Sequence, residues 1–382
     1  MTPPRHIVLV GAGLAAQRCC QALRRRGHDG RITLIGDEAV LPYDRPPLSK
    51  EHLAGAMDDG ALALRPRGWY DGHGVELVLG AAAVALDPTE REVRLASGAA
   101  VAYDRVLLAT GARPVALPGT QGFENVHALR SAADAAALRE RLRPGARLAI
   151  VGAGFIGQEV AATARSLGVE VTMIEAAPTP LHGPLGPEIG GWFAHLHRQE
   201  GVDLRLGVRI ERFRASGARL GGLRLDDGTE LECDALLAGI GVRPETGWLR
   251  SSGLPELGAA VDACGATGLP GVFAAGDVAG GVHWEAAVAD GVAAAHGMLG
   301  LEPPPHPRPS FWSDQYGTRI QFVGDARGAD GLELDGAPEA RDFTALFLRD
   351  GLVRGGLLVG RPRALPALRD QLDQPLTDRR TA

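Results

Sequence analysis

Blocks of apolar and polar residues follow a definite order in the first part of the chain. The apolar run His6–Val10 meets a glycine-rich turn at residues 11–16, a helical stretch continues to about Arg26, and a second apolar run, Arg31–Ile35, follows. Continuous apolar runs of this length are typical of parallel strands that are covered on both faces. The order of strand, glycine-rich turn, helix and strand predicts a Rossmann-type unit.

The same order returns in the middle of the chain. The apolar run Arg147–Val151 precedes a glycine-rich turn at residues 152–157, a helical stretch and a further apolar run that ends at Glu175. Each copy closes with another buried run, and these two runs are residues 103–111 and 233–239. A plan that occurs twice predicts two dinucleotide-binding units in one chain.

The last part of the chain has a different pattern. A third strand-like run at residues 271–278 precedes a predicted helix at residues 284–299, and a proline-rich segment at residues 303–309 cannot continue that helix. Residues 310–382 then alternate strand-like runs with turns. We predict an α/β protein with two Rossmann-type domains, residues 1–113 with 245–307 and residues 114–244, and a small C-terminal α+β domain, residues 308–382.

The glycine-rich turns indicate which ligands these domains hold. Gly11 and Gly13 in the first turn, like Gly152 and Gly154 in the second, let the backbone approach a pyrophosphate at the positive end of a helix dipole. An acid about 20 residues further on accepts hydrogen bonds from a ribose. Glu175 has this position in the second copy, and a carboxylate there favours NADH over NADPH because it repels a 2′-phosphate.

The first copy has two variations on this pattern. Ala16 replaces the third glycine, which is a tolerated change, and the ribose acid is Asp37 or Glu38. Asp277, in the Gly-Asp turn after the third strand-like run, favours FAD in this domain because its carboxylate can hold the ribityl chain. The alternative for Asp277 is a helix N-cap.

Composition and charge exclude several classes of protein. The formal net charge of −6 gives no reason to expect nucleic acid or an anionic membrane as a partner. No apolar run approaches the roughly 20 residues of a membrane helix, and the chain enters its first strand without room for a signal peptide, so we expect a cytoplasmic protein. The four cysteines lack metal-ligand or redox-pair spacing, so we expect reduced thiols and no metal.

Lys50 is the only lysine among forty basic residues. A chain that otherwise uses arginine has kept a compact ammonium at one position, which indicates a confined site that a guanidinium does not fit. The alternative is an ordinary surface lysine.

Several motifs, in order along nearly the whole chain, resemble the FAD-dependent ferredoxin reductases that serve Rieske-type oxygenases and cytochromes P450. Rubredoxin reductases and apoptosis-inducing factor resemble the chain more distantly. The motifs are the glycine-rich turn at 11–16, Pro-Tyr-Asp-Arg-Pro-Pro-Leu-Ser-Lys at 42–50, Ala-Thr-Gly at 109–111, Gly-Phe-Ile-Gly-Gln-Glu at 154–159, Gly-Asp at 276–277 and Phe-Trp-Ser-Asp-Gln at 311–315.

The resemblance implies a glutathione-reductase-like fold, FAD in the first domain, NADH in the second, and a ferredoxin-type iron–sulfur protein as electron acceptor for a monomer or homodimer. The residues implied to bind FAD are Gly11, Gly13, Leu14, Ala15, Asp37, Arg45, Lys50, Ala83, Arg130, Asp277, Trp284 and Trp312. The residues implied to bind NADH are Gly152, Gly154, Ile156, Gly157, Glu175 and Gly241.

In the family that the chain resembles, a lysine like Lys50 and a glutamate like Glu159 pair beside the flavin. The ammonium is then expected to polarise the N5 side of the flavin and to stabilise negative charge on the reduced ring, with Glu159 as the counter-ion of that buried cation. The alternative for Glu159 is a first-turn helix residue that the helix dipole favours.

The chain departs from the family pattern at Val282, Ala286, Thr179 and Gly183, and these changes bear on nicotinamide affinity and partner choice. Two other functions compete. A disulfide reductase needs a redox cysteine near the flavin, and residues 41–50 contain none. An NADH-sensing flavoprotein similar to apoptosis-inducing factor is the second. Acidic ferredoxins favour a basic docking surface, for which the candidates are Arg65, Arg67, Arg308 and Arg319. The alternative is that these are ordinary solvated surface arginines.

Overall fold

The computed structural model of the chain describes residues 4–254, 261–281 and 283–376. They form two compact units, and each is described by itself. The first unit comprises residues 1–44, 59–113 and 242–307, and the second comprises residues 45–58, 114–241 and 308–382. Because packing and not cofactor binding defines these units, the predicted FAD, NADH and C-terminal domain boundaries stay a prediction.

The strands are β1 (His6–Val10), β2 (Arg31–Ile35), β3 (Val75–Val78), β4 (Ala83–Asp87), β5 (Glu92–Leu95), β6 (Ala100–Ala102), β7 (Arg105–Leu108), β8 (Ala112–Pro114), β9 (Val126–His127), β10 (Arg147–Val151), β11 (Glu170–Glu175), β12 (Asp203–Leu206), β13 (Ile210–Ser216), β14 (Arg219–Leu225), β15 (Glu230–Glu232), β16 (Ala235–Ala238), β17 (Val242–Pro244), β18 (Val272–Ala274), β19 (Ser310–Gln315), β20 (Thr318–Gly324), β21 (Gly331–Ala337), β22 (Asp342–Arg349) and β23 (Leu352–Val359). The α-helices are α1 (Leu14–Arg25), α2 (Arg67–Gly72), α3 (Ala132–Arg139), α4 (Phe155–Ser166), α5 (His182–Gln199), α6 (Trp284–Met298) and α7 (Leu365–Gln371).

A parallel five-stranded sheet in the order β18-β7-β1-β2-β3 is the centre of the first unit. Successive residues of β1 point to opposite faces, and both faces are covered. Ile7 and Leu9 pack in the cluster that contains α1 and α6, whereas Val8 and Val10 pack in a cluster with residues of β4 and β5. This explains why β1 is a continuous apolar run.

The second unit contains a matching parallel sheet in the order β12-β11-β10-β16-β9. Leu148 and Ile150 of β10 pack with α4, and Ala149 and Val151 pack in a cluster with residues of β14. In both units the glycine-rich turn therefore follows the central strand and leads into a helix, which is the position where parallel sheets bind ligands.

The second unit also contains an antiparallel five-stranded sheet in the order β19-β20-β23-β22-β21. Ile189 and Phe193 of α5 share a buried cluster with Ile320 and Phe343 of this sheet, so the sheet belongs to the same hydrophobic core as α5. Within the described ranges no helix is both long enough and apolar enough to cross a membrane.

Candidate functional site

The first glycine-rich turn has the backbone shape that a dinucleotide needs. Gly11 has φ +106°, and a Cβ atom there would lie 2.1 Å from the carbonyl oxygen of Ala109, so only glycine fits. At Gly13 a Cβ atom would meet nothing within 4 Å, which leaves space beside the first turn of α1. Helix α1 begins at Leu14, and Ala15 packs closely on Gly276 and Gly291. The open space at an anion-binding helix end fits a pyrophosphate.

The two candidate ribose acids of the first unit differ in their contacts. Glu38 accepts a hydrogen bond from the Tyr43 hydroxyl at 2.8 Å, whereas the carboxylate of Asp37 is exposed and accepts one from the Glu38 backbone N–H at 3.0 Å. Glu38 is thus engaged by Tyr43, and Asp37 has the more accessible carboxylate.

The remaining candidates of the first unit lie at the ends of short elements. Asp277 lies in the short 3₁₀ helix Gly276–Ala279, whose N-cap is Ala275, and the N-cap of α6 is His283. The N-cap alternative for Asp277 is therefore wrong. Trp284 begins α6 and donates its indole N–H to Asp44 at 2.7 Å, and the half-buried Ala83 begins β4.

The second glycine-rich turn repeats the geometry of the first. Gly152 has φ +100°, and a Cβ atom there would lie 2.4 Å from the Gly239 carbonyl oxygen. A Cβ atom at Gly157 would lie 2.3 Å from the Gly152 carbonyl oxygen, so this glycine sets the close approach of α4 to the turn. At Gly154 nothing lies within 4 Å of the Cβ position, and this opening fits a second pyrophosphate.

Glu175 ends β11 beside this turn, and both of its carboxylate oxygens are engaged. One accepts the backbone N–H of Ala153 at 2.7 Å, and the other accepts the N–H of Ala177 at 2.8 Å. Ile156, in the first turn of α4, is 45% exposed although it is apolar. Gly241 has φ +111°, and its carbonyl accepts the N–H of Val115 at 2.9 Å. The Glu175 carboxylate and the exposed Ile156 side chain, both at this open turn, fit the adenosine part of a dinucleotide with its ribose.

The four departures from the family pattern have modest local consequences where the structure describes them. Thr179 Oγ1 lies 3.1 Å from Nδ1 of His182, and Gly183 lies in the first turn of α5 with nothing within 4 Å of its Cβ position. Ala286 is half-buried in α6, and Val282 lies outside the described residues.

Lys50 and Glu159 form a buried ion pair, as the family resemblance implies. The distance from Lys50 Nζ to Glu159 Oε2 is 2.6 Å, and the two side chains are only 11% and 4% exposed. Lys50 Nζ also donates to the Pro46 carbonyl at 3.0 Å. Glu159 is the fifth residue of α4 and makes a tertiary ion pair, so the alternatives of a first-turn helix acid and a surface lysine are both wrong.

Two serines that the sequence analysis did not single out complete the coordination of Glu159. The Ser49 hydroxyl donates to Oε2, and the Ser313 hydroxyl donates to Oε1 at 2.7 Å. Both carboxylate oxygens thus have hydrogen-bond partners, which a buried charge requires. Both serines lie in the motifs at 42–50 and 311–315, and this was the only signal that could have found them.

Three further candidates of the second unit have contacts of their own. Arg45 is the N-cap of the short helix Pro46–Ser49, and the backbone N–H of Arg130 donates to Asp134 Oδ2 at 3.0 Å. Trp312 lies in β19, where the Arg319 guanidinium is 5.2 Å from its ring centroid. Lys50 and Glu159 share the second unit with these residues, whereas Asp37, Asp277 and Trp284 belong to the first unit.

The cysteines are poor nucleophiles. Burial raises the pKa of Cys20 to about 12 and that of Cys233 to about 11, and it raises the pKa of Cys19 and Cys264 as well. All four are free thiols within the described ranges. Since a thiol–disulfide reaction needs a thiolate, these cysteines do not suit disulfide reduction.

Three of the four arginines considered for partner docking already form surface ion pairs with carboxylates. Arg67 pairs with Asp71, Arg308 with Asp373 and Arg319 with Asp314. Arg65 differs, because it lines a groove of about 540 Å³ in the first unit together with Arg18 and Arg25 of α1 and with Arg26, the C-cap of that helix.

Comparison with known proteins agrees with this geometry. The family described as pyridine nucleotide-disulphide oxidoreductase matches residues 5–291, and the family described as reductase C-terminal matches residues 310–381. The ferredoxin–NAD(+) reductase component of the biphenyl dioxygenase system of Paraburkholderia xenovorans is 40% identical, over 94% of this chain and 90% of that protein. Putidaredoxin reductase CamA of Pseudomonas putida is 33% identical, over 98% of this chain and 92% of that protein.

Solved structures give the same result. The structure of the covalent putidaredoxin reductase–putidaredoxin complex matches with a TM-score of 0.92 and 31% identity, over 98% of this chain and 95% of that one. The ferredoxin reductase for the CYP199A2 system of Rhodopseudomonas palustris matches with a TM-score of 0.88 and 34% identity, over 93% of this chain and 91% of that one. The predicted α/β fold, with its two dinucleotide-binding regions and C-terminal α+β region, is thereby confirmed.

The resemblance stated from the motifs is confirmed as well, since the matched families and relatives cover nearly the whole chain. The chain belongs to the pyridine nucleotide-disulphide oxidoreductase family, among its FAD- and NADH-dependent ferredoxin reductases.

Proposed function

We propose that this chain oxidises NADH and delivers the electrons one at a time to an acidic ferredoxin-type iron–sulfur protein that serves a cytochrome P450 or a Rieske-type oxygenase. Bound FAD supplies the conversion of a hydride into single electrons. Relatives named as reductases of a dioxygenase system and of a P450 system support this acceptor class. We propose further that the protein works in the cytoplasm, as a monomer or homodimer.

The open turn at Gly13 and the accessible carboxylate of Asp37 support FAD binding by the first unit. We assign the other FAD contacts to the family positions, namely Gly11, Leu14, Ala15, Arg45, Lys50, Ala83, Arg130, Asp277, Trp284 and Trp312. The open turn at Gly154 and the anchored carboxylate of Glu175 support NADH binding, together with Gly152, Ile156, Gly157 and Gly241.

Lys50 is assigned the electrostatic role in hydride transfer. Its ammonium is buried, paired with Glu159 and oriented by the Pro46 carbonyl, so the cation does not have to reorganise when negative charge develops nearby. Glu159 holds the ammonium in place, and Ser49 and Ser313 hold Glu159. Arginine differs from lysine in this role, because its planar guanidinium is larger than an ammonium and spreads its charge over several nitrogens.

The groove in the first unit is the observation that carries the choice of an acidic partner. Burial lowers the pKa of Arg18, and the positive charge of the neighbouring Arg65 lowers it further, so these two arginines lie near each other in the groove. Arg18 lies 6.0 Å from the ring centroid of Trp284, one of the proposed FAD contacts. Among the described residues, neither Arg25 nor Arg65 has a carboxylate partner, so an acidic surface can neutralise them.

The test is anaerobic stopped-flow of the FAD-loaded protein with NADH, followed by mixing with a [2Fe–2S] ferredoxin. We expect fast bleaching of the flavin absorbance and fast reoxidation by ferredoxin. Bleaching with a persistent long-wavelength band and no reoxidation by ferredoxin would instead identify an NADH-sensing flavoprotein and contradict the proposal.

A triple variant with Arg18, Arg25 and Arg65 changed to Gln tests the groove. We expect kcat/KM for ferredoxin to fall about tenfold at low salt and to depend less on salt, with an unchanged rate of bleaching by NADH. Arg94→Gln is the matched control, because Arg94 is an exposed arginine of the same unit that pairs with Asp87. If the triple variant reduces ferredoxin as well as this control does, the groove is not the docking surface.

A further inference from the structure

A chain of buried polar side chains lies behind the second glycine-rich turn. Gln158 of α4 and His197 of α5 are both fully buried. The Gln158 side-chain amide donates to the Ala153 carbonyl at 2.9 Å, and its Oε1 lies 3.1 Å from His197 Nε2. His197 Nδ1 lies 2.7 Å from the Tyr316 hydroxyl. These hydrogen-bonded side chains thus connect Tyr316, after β19, through His197 and Gln158 to Ala153 in the middle of the Gly-Ala-Gly turn.

The hydrogen bonds that link Tyr316, His197, Gln158 and the Ala153 carbonyl all run in one direction. Gln158 Nε2 must donate to the Ala153 carbonyl, so Gln158 Oε1 is left to accept from His197 Nε2–H. The imidazole then carries its proton on Nε2, and Nδ1 accepts from the Tyr316 hydroxyl. Burial lowers the pKa of His197 to about 4, so the ring is neutral at ordinary pH, as this arrangement requires.

The Ala153 carbonyl controls the direction of a neighbouring donor. A trans peptide is planar, so the C=O of Ala153 and the N–H of Gly154 point in opposite directions. Gln158 holds this carbonyl on the protein side, and Glu175 holds the Ala153 N–H. Among the described residues none accepts a hydrogen bond from the Gly154 N–H, which therefore points to the open side of the turn.

We propose that Gln158, His197 and Tyr316 are positioning residues for NADH, which hold the Ala153–Gly154 peptide so that the Gly154 N–H faces the pyrophosphate. This inference rests on the proposed use of NADH and assigns a role to residues outside the ion pair of Lys50 and Glu159. The three residues do not contact the dinucleotide and act only through the backbone of the turn.

The test measures binding apart from catalysis. The FAD-loaded protein is titrated calorimetrically with NAD⁺ and with ADP-ribose, which keeps the pyrophosphate and lacks the nicotinamide. Gln158→Met has nearly the same shape but cannot donate, so the Ala153 carbonyl is left without its partner. We expect its Kd for both ligands to rise by the same factor, about tenfold, with the bleaching rate at saturating NADH within about twofold of wild type.

Four further variants separate positioning from packing. His197→Gln retains an N–H donor and is expected to keep Kd within about twofold of wild type, whereas His197→Leu weakens binding about fivefold. Tyr316→Phe removes only the outer hydroxyl and weakens it about twofold. Asn125→Leu is the control, because Asn125 is a buried amide that bonds Leu220 and Asp234 and not the turn. It is expected to lower the melting temperature without a change in Kd.

Several outcomes overturn the inference. One is a Gln158→Met protein that melts earlier but binds both ligands as wild type does. Another is an Asn125→Leu protein whose Kd rises as much as that of Gln158→Met, which would mean general destabilisation. Should Gln158→Met not fold, an unchanged Kd in both Tyr316→Phe and His197→Leu is decisive against it. Absence of NAD⁺ binding by the wild-type protein would refute the proposed function, and the inference with it.

Discussion

The buried, neutral state of His197 predicts a specific loss of stability in mild acid. An unfolded histidine takes up a proton near pH 6.5, whereas burial lowers the pKa of His197 to about 4 in the folded protein. Between these two values the unfolded state binds more protons than the folded state. The free energy of unfolding therefore falls as the pH falls through this window, and the contribution is lost completely below about pH 4.

The size of this effect follows from the two pKa values. Each unit of difference corresponds to about 1.36 kcal/mol, so the whole shift is worth about 3 kcal/mol. About 2 kcal/mol of this is lost between about pH 7.5 and about pH 5, because the unfolded histidine is then almost fully protonated and the folded one is not.

The assay is guanidinium chloride unfolding of the FAD-loaded protein at these two pH values, followed by far-ultraviolet circular dichroism. His197→Gln cannot titrate, so we expect its loss of stability to be about 2 kcal/mol smaller than that of wild type. His195→Gln is the matched control, because His195 is an exposed histidine of the same helix. The free energy of unfolding of this variant should depend on pH as that of wild type does. Equal losses in wild type and His197→Gln would refute the reasoning.

Three further predictions concern the turns, the ribose acid and the thiols. Gly157→Ala places a Cβ atom 2.3 Å from the Gly152 carbonyl oxygen, so it should lower the melting temperature and abolish NAD⁺ binding. The Cβ atom of Gly154→Ala meets no protein atom, so this variant should lose NAD⁺ binding with an unchanged melting temperature. Equal melting temperatures of the two variants would contradict this. Glu175→Ala removes the proposed acceptor of the 2′-hydroxyl and should bring the kcat/KM values for NADH and NADPH within about tenfold of each other. If the variant keeps the wild-type preference, another residue selects the cofactor. Iodoacetamide should label the native protein at about pH 8 far more slowly than the denatured protein, since burial raises the pKa of Cys19, Cys20 and Cys233, and fast native labelling at any of these cysteines would count against this.

Local rules were sufficient for the two dinucleotide-binding regions. The strand β1 ends directly before Gly11, and β10 ends directly before Gly152, as the apolar runs predicted. A buried parallel strand, a left-handed glycine and a helix N-terminus are each properties of a few consecutive residues. The choice of Lys50 was also a sequence result, because a unique lysine stands out in composition, and the family motif supplied its partner Glu159.

Only the tertiary structure showed which residues complete these sites. Ser49, Glu159 and Ser313 meet across separations of more than one hundred residues, and Gln158, His197 and Tyr316 come from a helix, a second helix and a turn after β19. Nothing in the local pattern distinguishes a serine or glutamine that bonds a buried group from one that bonds water.

The sequence by itself thus determined the elements and the ligand-binding turns, since these depend on short-range backbone geometry and on the periodicity of apolar residues. The structure decided which buried polar groups pair. It also showed that three of the four candidate docking arginines form ion pairs with carboxylates, while Arg65 lies in a groove with other arginines. The buried pairings depend on the packing of α4, α5 and β19, and the groove depends on the packing of α1 against α6. The sequence could not show them, because the free energy of a buried charge is set by partners that are distant in sequence.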